Sequence, residues 1–108
     1  MVNQGTIIRL DLDPQAGHEQ KGRRPALVIS NNSFNRYSNM YMVCPITHTD
    51  KKHAFHIPLD NRTKTKGVIL CDQARILDIK ARNYEFTEYL PIDILDKAIN
   101  LLISFIDK

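Results

Sequence analysis

From Pro91 onward, apolar residues return at spacings of three and four: Ile94, Leu95, Ala98, Ile99, Leu102, Phe105 and Ile106. That spacing lays one apolar stripe along an amphipathic helix. Pro91 suits its first turn, and Asp93 and Asp96 lie near its positive end. Everything upstream is cut into short strand-like runs separated by turn residues. The helix must bury its stripe, and the partner on offer is a sheet built from those runs. The pattern therefore predicts a mainly β fold with α, a compact and mostly antiparallel β-barrel with one C-terminal helix packed on it.

Gly5 opens the first run, Thr6 to Leu12, which Asp13-Pro14 ends. Gln15 to Pro25 has neither helical nor strand periodicity and reads as a long loop, a place where function concentrates in small domains. Ala26 to Ser30 reads as a buried strand. Asn31-Asn32-Ser33 resembles a turn or a short helix cap leading into Phe34-Asn35-Arg36-Tyr37. Further strands are expected over Met40 to Ile46, halted around Pro45, then Ala54 to Ile57, Gly67 to Cys71 and Ala74 to Ile79. A last short edge is expected over Tyr84 to Leu90, and Asp60 to Lys66 reads as a charged loop. No repeat or linker divides the chain, so residues 1–108 are expected to form one domain.

A chain of 108 residues has room for one modest core, which makes a homodimer a reasonable expectation. The net charge of +3 is compatible with a polyanionic partner without demonstrating one. No apolar run approaches bilayer length, and no signal-peptide pattern opens the sequence. Cys44 and Cys71 are therefore expected as reduced, buried thiols of a cytoplasmic protein.

Three segments carry residue types suited to chemistry at phosphorus. That chemistry needs cationic donors for developing charge and groups that take and give protons. The segment Gly17 to Pro25 holds His18, Glu19, Arg23 and Arg24, though a charged loop of this kind is also common without a task. Pro45-Ile46-Thr47-His48-Thr49 offers hydroxyls that either bind a phosphate or cap a turn. In Cys71-Asp72-Gln73-Ala74-Arg75, the acid either orients an Arg, acts as a base or caps a turn. Cys44 with His48, and His53 with His56, do not match zinc-ligand spacings, so no metal or other cofactor is expected. No Gly-x-Ser-x-Gly is present to support a nucleophilic triad.

Leu12-Asp13-Pro14, Gly17-His18-Glu19-Gln20, Gly22, Arg24-Pro25 and Leu27-Val28-Ile29-Ser30 together resemble the opening block of the MazF/PemK (Kid) toxins. Phe34-Asn35-Arg36 follows at the family spacing. Cys44-Pro45-Ile46-Thr47 resembles the second block. Gly67-Val68, Asp72-Gln73, Asp78 and Lys80-Ala81-Arg82 resemble the third. The resemblance implies a Src-homology-3-like barrel with a C-terminal helix, paired as a homodimer. It implies a metal-independent endoribonuclease that cuts single-stranded RNA at short motifs, and a cognate antitoxin whose acidic extended tail covers the RNA groove. Carried over, the phosphate-binding Arg is Arg24 and the catalytic Thr is Thr47. Glu19 matches an acid implicated in some members, and His18 and Asp72 match acid/base positions of the PemK branch. Gln20, Lys21, Arg23 and Arg75 are the candidate RNA-binding residues. That branch has an Arg two residues before the Asp, where this chain has Leu70.

Such an enzyme would use the RNA's own 2′-hydroxyl, already tethered beside the phosphorus. The products would be a 2′,3′-cyclic phosphate and a 5′-hydroxyl, and DNA would be refused. Two rivals are a gyrase poison of the CcdB type and a non-catalytic RNA-binding barrel. The poisons act through a tail ending in Trp-Gly-Ile, whereas this chain ends Phe105-Ile106-Asp107-Lys108 and has no Trp.

Overall fold

A computed structural model describes residues 2–12, 23–49 and 53–108. The strands are β1 (Thr6–Asp11), β2 (Arg23–Val28), β3 (Tyr41–Thr47), β4 (His56–Pro58), β5 (Val68–Leu70), β6 (Arg75–Leu77) and β7 (Glu85–Tyr89). The helices are α1 (Asn32–Ser38) and the C-terminal α2 (Ile92–Ser104). All pairings are antiparallel, in the order β4-β5-β3-β2-β1-β7, with β6 also paired to β3. The expected mainly β fold with a packed C-terminal helix is what forms.

Alternation of side chains across the sheet sorts its residues into two cores. Ile7, Leu27, Cys44, Ile46 and Ile69 face α2, where they meet Ile94, Leu95 and Ala98 of the apolar stripe. Ile8, Leu10, Ala26, Val28, Tyr41 and Val43 form the second core with Leu77 and Ile79. Asn31 caps α1, its side chain accepting from the Phe34 N–H at 2.8 Å, as the turn-or-cap segment suggested.

Most strand boundaries shift by one to three residues from expectation, β4 for example starting at His56 and not at Ala54; the two shifts that shape the groove lie at prolines. β2 begins at Arg23, inside the segment read as loop, and β3 runs through Pro45 to Thr47. The Ile29 N–H donates to the Met42 carbonyl, so along β3 the even-numbered residues point their backbone groups at β2. Pro45, opposite Ala26, therefore turns its nitrogen to the far edge. There the β3–β5 and β3–β6 ladders are interrupted and no donor is required of it. The β2–β3 ladder starts at Ala26, so Pro25 interrupts nothing there.

The interruption itself shapes the molecule. Between the pairs Ile46–Ile69 and Val43–Arg75, β3 spans two residues, Cys44 and Pro45, while the opposing chain spans five, Leu70 to Ala74. The surplus is taken up by a 3-10 turn over Cys71–Gln73. Cys71 stays buried, and Asp72 and Gln73 are pushed to the surface.

Candidate active site

The bulge, the end of β3 and the start of β2 enclose a groove of about 240 Å³. Its apolar lining is Leu12, Pro45, Ile46 and Leu70, and its polar lining is Arg24, Thr47, Gln73 and Arg75. Three candidates far apart in sequence, Arg24, Thr47 and Arg75, thus meet at one place. Arg24 is exposed and makes no ion pair among the described residues. Its guanidinium belongs to the groove's polar lining. The Thr47 oxygen accepts a long 3.4 Å bond from the Thr49 N–H, which leaves its hydroxyl proton to donate. Arg75 donates to the Leu12 carbonyl at 2.9 Å, and Arg82 donates to the same oxygen at 3.1 Å. Together they hold the chain at the groove's edge.

Arg23 does not join them. Neighbouring residues on a strand point to opposite faces, and Arg23 reaches the Asn83 carbonyl at 2.8 Å and Glu85 at 3.2 Å. His18, Glu19, Gln20 and Lys21, the other candidates of that segment, lie outside the described residues.

Asp72 has a neighbour that sequence spacing missed. His56 pairs directly with Leu70 across β4 and β5, and Thr47 pairs with Val68 across β3 and β5. His56, Leu70 and Thr47 consequently share one face. Nε2 of His56 lies 3.7 Å from Oδ1 of Asp72, with the imidazole 12% exposed and the carboxylate 35% exposed. His53 stacks on His56, ring centroids 4.9 Å apart. His53 and His56, whose spacing does not match a zinc-ligand pair, therefore both lie beside Asp72. Gln73 was also missed as a site residue, although it follows Asp72 in the third sequence block. Only the register jump shows that it faces the groove.

Cys44 and Cys71 are free and buried behind the groove, as expected of structural thiols. A hydrogen bond from one thiol to the other, together with burial, pushes the Cys44 thiol far above its ordinary value. It stays protonated and is no nucleophile. A larger cavity of about 500 Å³ lies between α1 and the end of α2, lined by Phe34, Met42, Leu102 and Phe105 among others. No titratable side chain among the described residues lines it, whereas Arg24 and Arg75 line the smaller, polar groove.

Comparison with known proteins places this geometry among relatives. The family described as "PemK-like, MazF-like toxin of type II toxin-antitoxin system" matches residues 3–106. The protein named endoribonuclease PemK from Escherichia coli is 36% identical, over 94% of this chain and 79% of its own length. A crystal structure of MazF from Deinococcus radiodurans superposes with a TM-score of 0.86 at 36% identity, covering 99% of this chain and 97% of that one. A MazE-MazF structure from the same organism superposes at 0.83 and 29% identity, covering 98% and 95%.

Proposed function

The chain belongs to the PemK-like, MazF-like toxins of type II toxin–antitoxin systems, and on that premise we propose that it is an endoribonuclease cutting single-stranded RNA. The observation that carries this reading is the convergence of Arg24, Thr47, Gln73 and Arg75 on one groove, with the Asp72–His56 pair on its flank.

The groove is smaller than the roughly 300–1,000 Å³ pockets that enclose whole ligands. It suits a short stretch of a chain that passes through it. The nucleophile is the substrate's 2′-hydroxyl, whose tether to the phosphorus supplies proximity. Its oxygen attacks, the bond to the 5′-oxygen breaks, and a 2′,3′-cyclic phosphate and a 5′-hydroxyl result. Arg24 bridges two non-bridging phosphate oxygens with its planar fork as charge builds on them. Thr47 donates a further hydrogen bond to the same group. Arg75 and Gln73 hold the adjoining backbone. Asp72 takes or returns a proton with His56 beside it, and His18 and Glu19 are the further candidates for that work. The reaction requires no metal ion, since the nucleophile belongs to the substrate. DNA, lacking the 2′-hydroxyl, is refused.

The assembly proposed is a cytoplasmic homodimer, inhibited by a cognate antitoxin whose acidic, extended tail enters the groove. A MazE-MazF complex is known for the relative from Deinococcus radiodurans. No helix of the described residues is long and apolar enough to cross a membrane.

The decisive experiment incubates the purified protein with a long single-stranded RNA in excess EDTA and maps the new ends. Cleavage at short recurring motifs, leaving cyclic phosphate and 5′-hydroxyl termini, is expected. RNA that is bound but not cut, or cutting that needs added magnesium, would overturn the reading. Light scattering is expected to give twice the 12.5 kDa chain mass at micromolar concentration. A persistent 12.5 kDa species would reject the dimer.

A further inference from the structure

His53, His56 and Asp72 each bring a potential ligand atom to one spot, and the three atoms lie within 4.8 Å of one another. Tetrahedral zinc holds nitrogen and oxygen ligands at about 2.0–2.2 Å, which sets neighbouring ligands roughly 3.3–3.5 Å apart. The 3.7 Å between His56 Nε2 and Asp72 Oδ1 is already close to that separation, and too long for a hydrogen bond. His53 supplies the remaining movement, because it is exposed and sits in the turn before β4.

The rings are not committed to structural work. His56 Nδ1 is buried without a hydrogen-bond partner among the described residues. The one bond of the His53 ring given by the described residues is Nδ1 accepting the exposed Phe55 N–H at 3.2 Å. Binding metal through His53 Nε2 would move its proton to Nδ1 and pass that N–H to water. Stacking at 30° between ring planes keeps the two imidazoles side by side. Two imidazoles and one carboxylate, with a fourth position open to water, suit zinc and its neighbours. Magnesium and calcium prefer all-oxygen sets.

We propose that His53, His56 and Asp72 form a binding site for a zinc-class transition-metal ion, and that metal bound there stops RNA cleavage. Inhibition follows because coordination ties up the His56 Nε2 lone pair and lowers the basicity of the Asp72 carboxylate, the groups that flank the groove. This half of the proposal rests on the role given to Asp72 above. The metal-binding half does not. The device is opposite in sign to a catalytic metal: the enzyme works without the ion and is silenced by it.

Cobalt(II), a spectroscopic stand-in for zinc, is titrated into the full-length protein, followed by zinc competition. One ion per chain is expected, with a visible absorption band that zinc abolishes. His53→Ala and Asp72→Asn should each weaken binding by at least about tenfold, while His48→Ala and His18→Ala leave it intact. Zinc should slow cleavage by wild type about tenfold or more, reversibly by EDTA, and magnesium should not. His53→Ala, altered at an exposed position outside the groove, should cleave normally and ignore zinc. Absence of a cobalt band, or a band unchanged in His53→Ala or lost in His18→Ala, overturns the site. A band with zinc-insensitive cleavage overturns the inhibition. The endoribonuclease reading fails separately, if the metal-free wild type does not cut RNA.

Discussion

The backbone of Gly67 lies directly against the carbonyl of Thr47, so that a Cβ on Gly67 would stand 2.0 Å from the Thr47 oxygen and 2.7 Å from its carbonyl carbon. Gly67 also holds a φ of +118°, a conformation that side chains rarely adopt. The same residue's carbonyl accepts from the Leu59 N–H at 2.9 Å, extending the β4–β5 ladder. The glycine thus seats the hydroxyl-bearing residue of the groove by letting two backbones touch. Gly67→Ala is expected to destabilise the fold by roughly 1–3 kcal/mol through backbone strain. It should lower cleavage even at temperatures where the variant stays folded, because Thr47 must shift. Urea unfolding together with single-turnover cleavage checks this. Unchanged cleavage in the folded variant would show that the contact does not position Thr47.

Arg24 and Arg23 are adjacent, yet the strand turns them to opposite faces. Arg24→Ala should reduce the cleavage rate by roughly a hundredfold or more, as for loss of one donor to a charged transition state. It should leave the circular dichroism spectrum unchanged, since the side chain is exposed. Arg23→Ala should lose the contacts to Glu85 and Asn83 and reduce cleavage far less. Equal losses in the two variants would contradict the placement.

Glu88 ties β7 to the loop preceding Gly67. Its carboxylate accepts from the Lys64 N–H at 3.0 Å, the Thr65 N–H at 2.8 Å and the Thr65 hydroxyl at 2.7 Å. Burial works against its charge, but these donors outweigh burial and hold the carboxyl below its ordinary value. A depressed folded-state pKa stabilises the fold above the unfolded-state value, about 4.3, and that stability is lost as pH falls through the folded-state value. Glu88→Gln should therefore be less stable than wild type by about 1–2 kcal/mol at neutral pH. The gap should narrow as pH falls below about 4.3. Denaturant midpoints measured from pH 7 down to pH 3 test the sign, and a gap that widens on acidification would refute it.

Inhibition by the antitoxin is expected to be competitive with RNA, since both are anionic and Arg24 and Arg75 line the shared groove. Association should slow as salt rises, as electrostatic steering requires. Hydrogen exchange on the complex should show protection at β2 and at the Cys71–Gln73 turn. Undiminished RNA binding by the toxin–antitoxin complex would place inhibition elsewhere.

The type and order of the main elements were legible along the chain. Strand and helix periods are local, and they recur residue by residue whatever the chain later packs against. The apolar stripe from Ile94 to Leu102 and the short strand-like runs before it thus predict a mainly β fold with one packed helix. The block resemblance named Arg24, Thr47 and Asp72. What depends on pairing between distant strands emerged with the folded sheet. Strands through Pro25 and Pro45 are permitted because each proline nitrogen faces a point where no ladder bond is needed. The three surplus residues opposite Cys44 and Pro45 put Asp72 and Gln73 at the surface, and no window of sequence contains both sides of that count. His56 reaches Asp72 because Leu70, two residues before the acid, is its cross-strand partner. Arg23 departs from Arg24 because strand alternation turns it to the other face, where the Asn83 carbonyl just before β7 and Glu85 of β7 receive it. Local preference chose the strands, and long-range register chose which side chains meet.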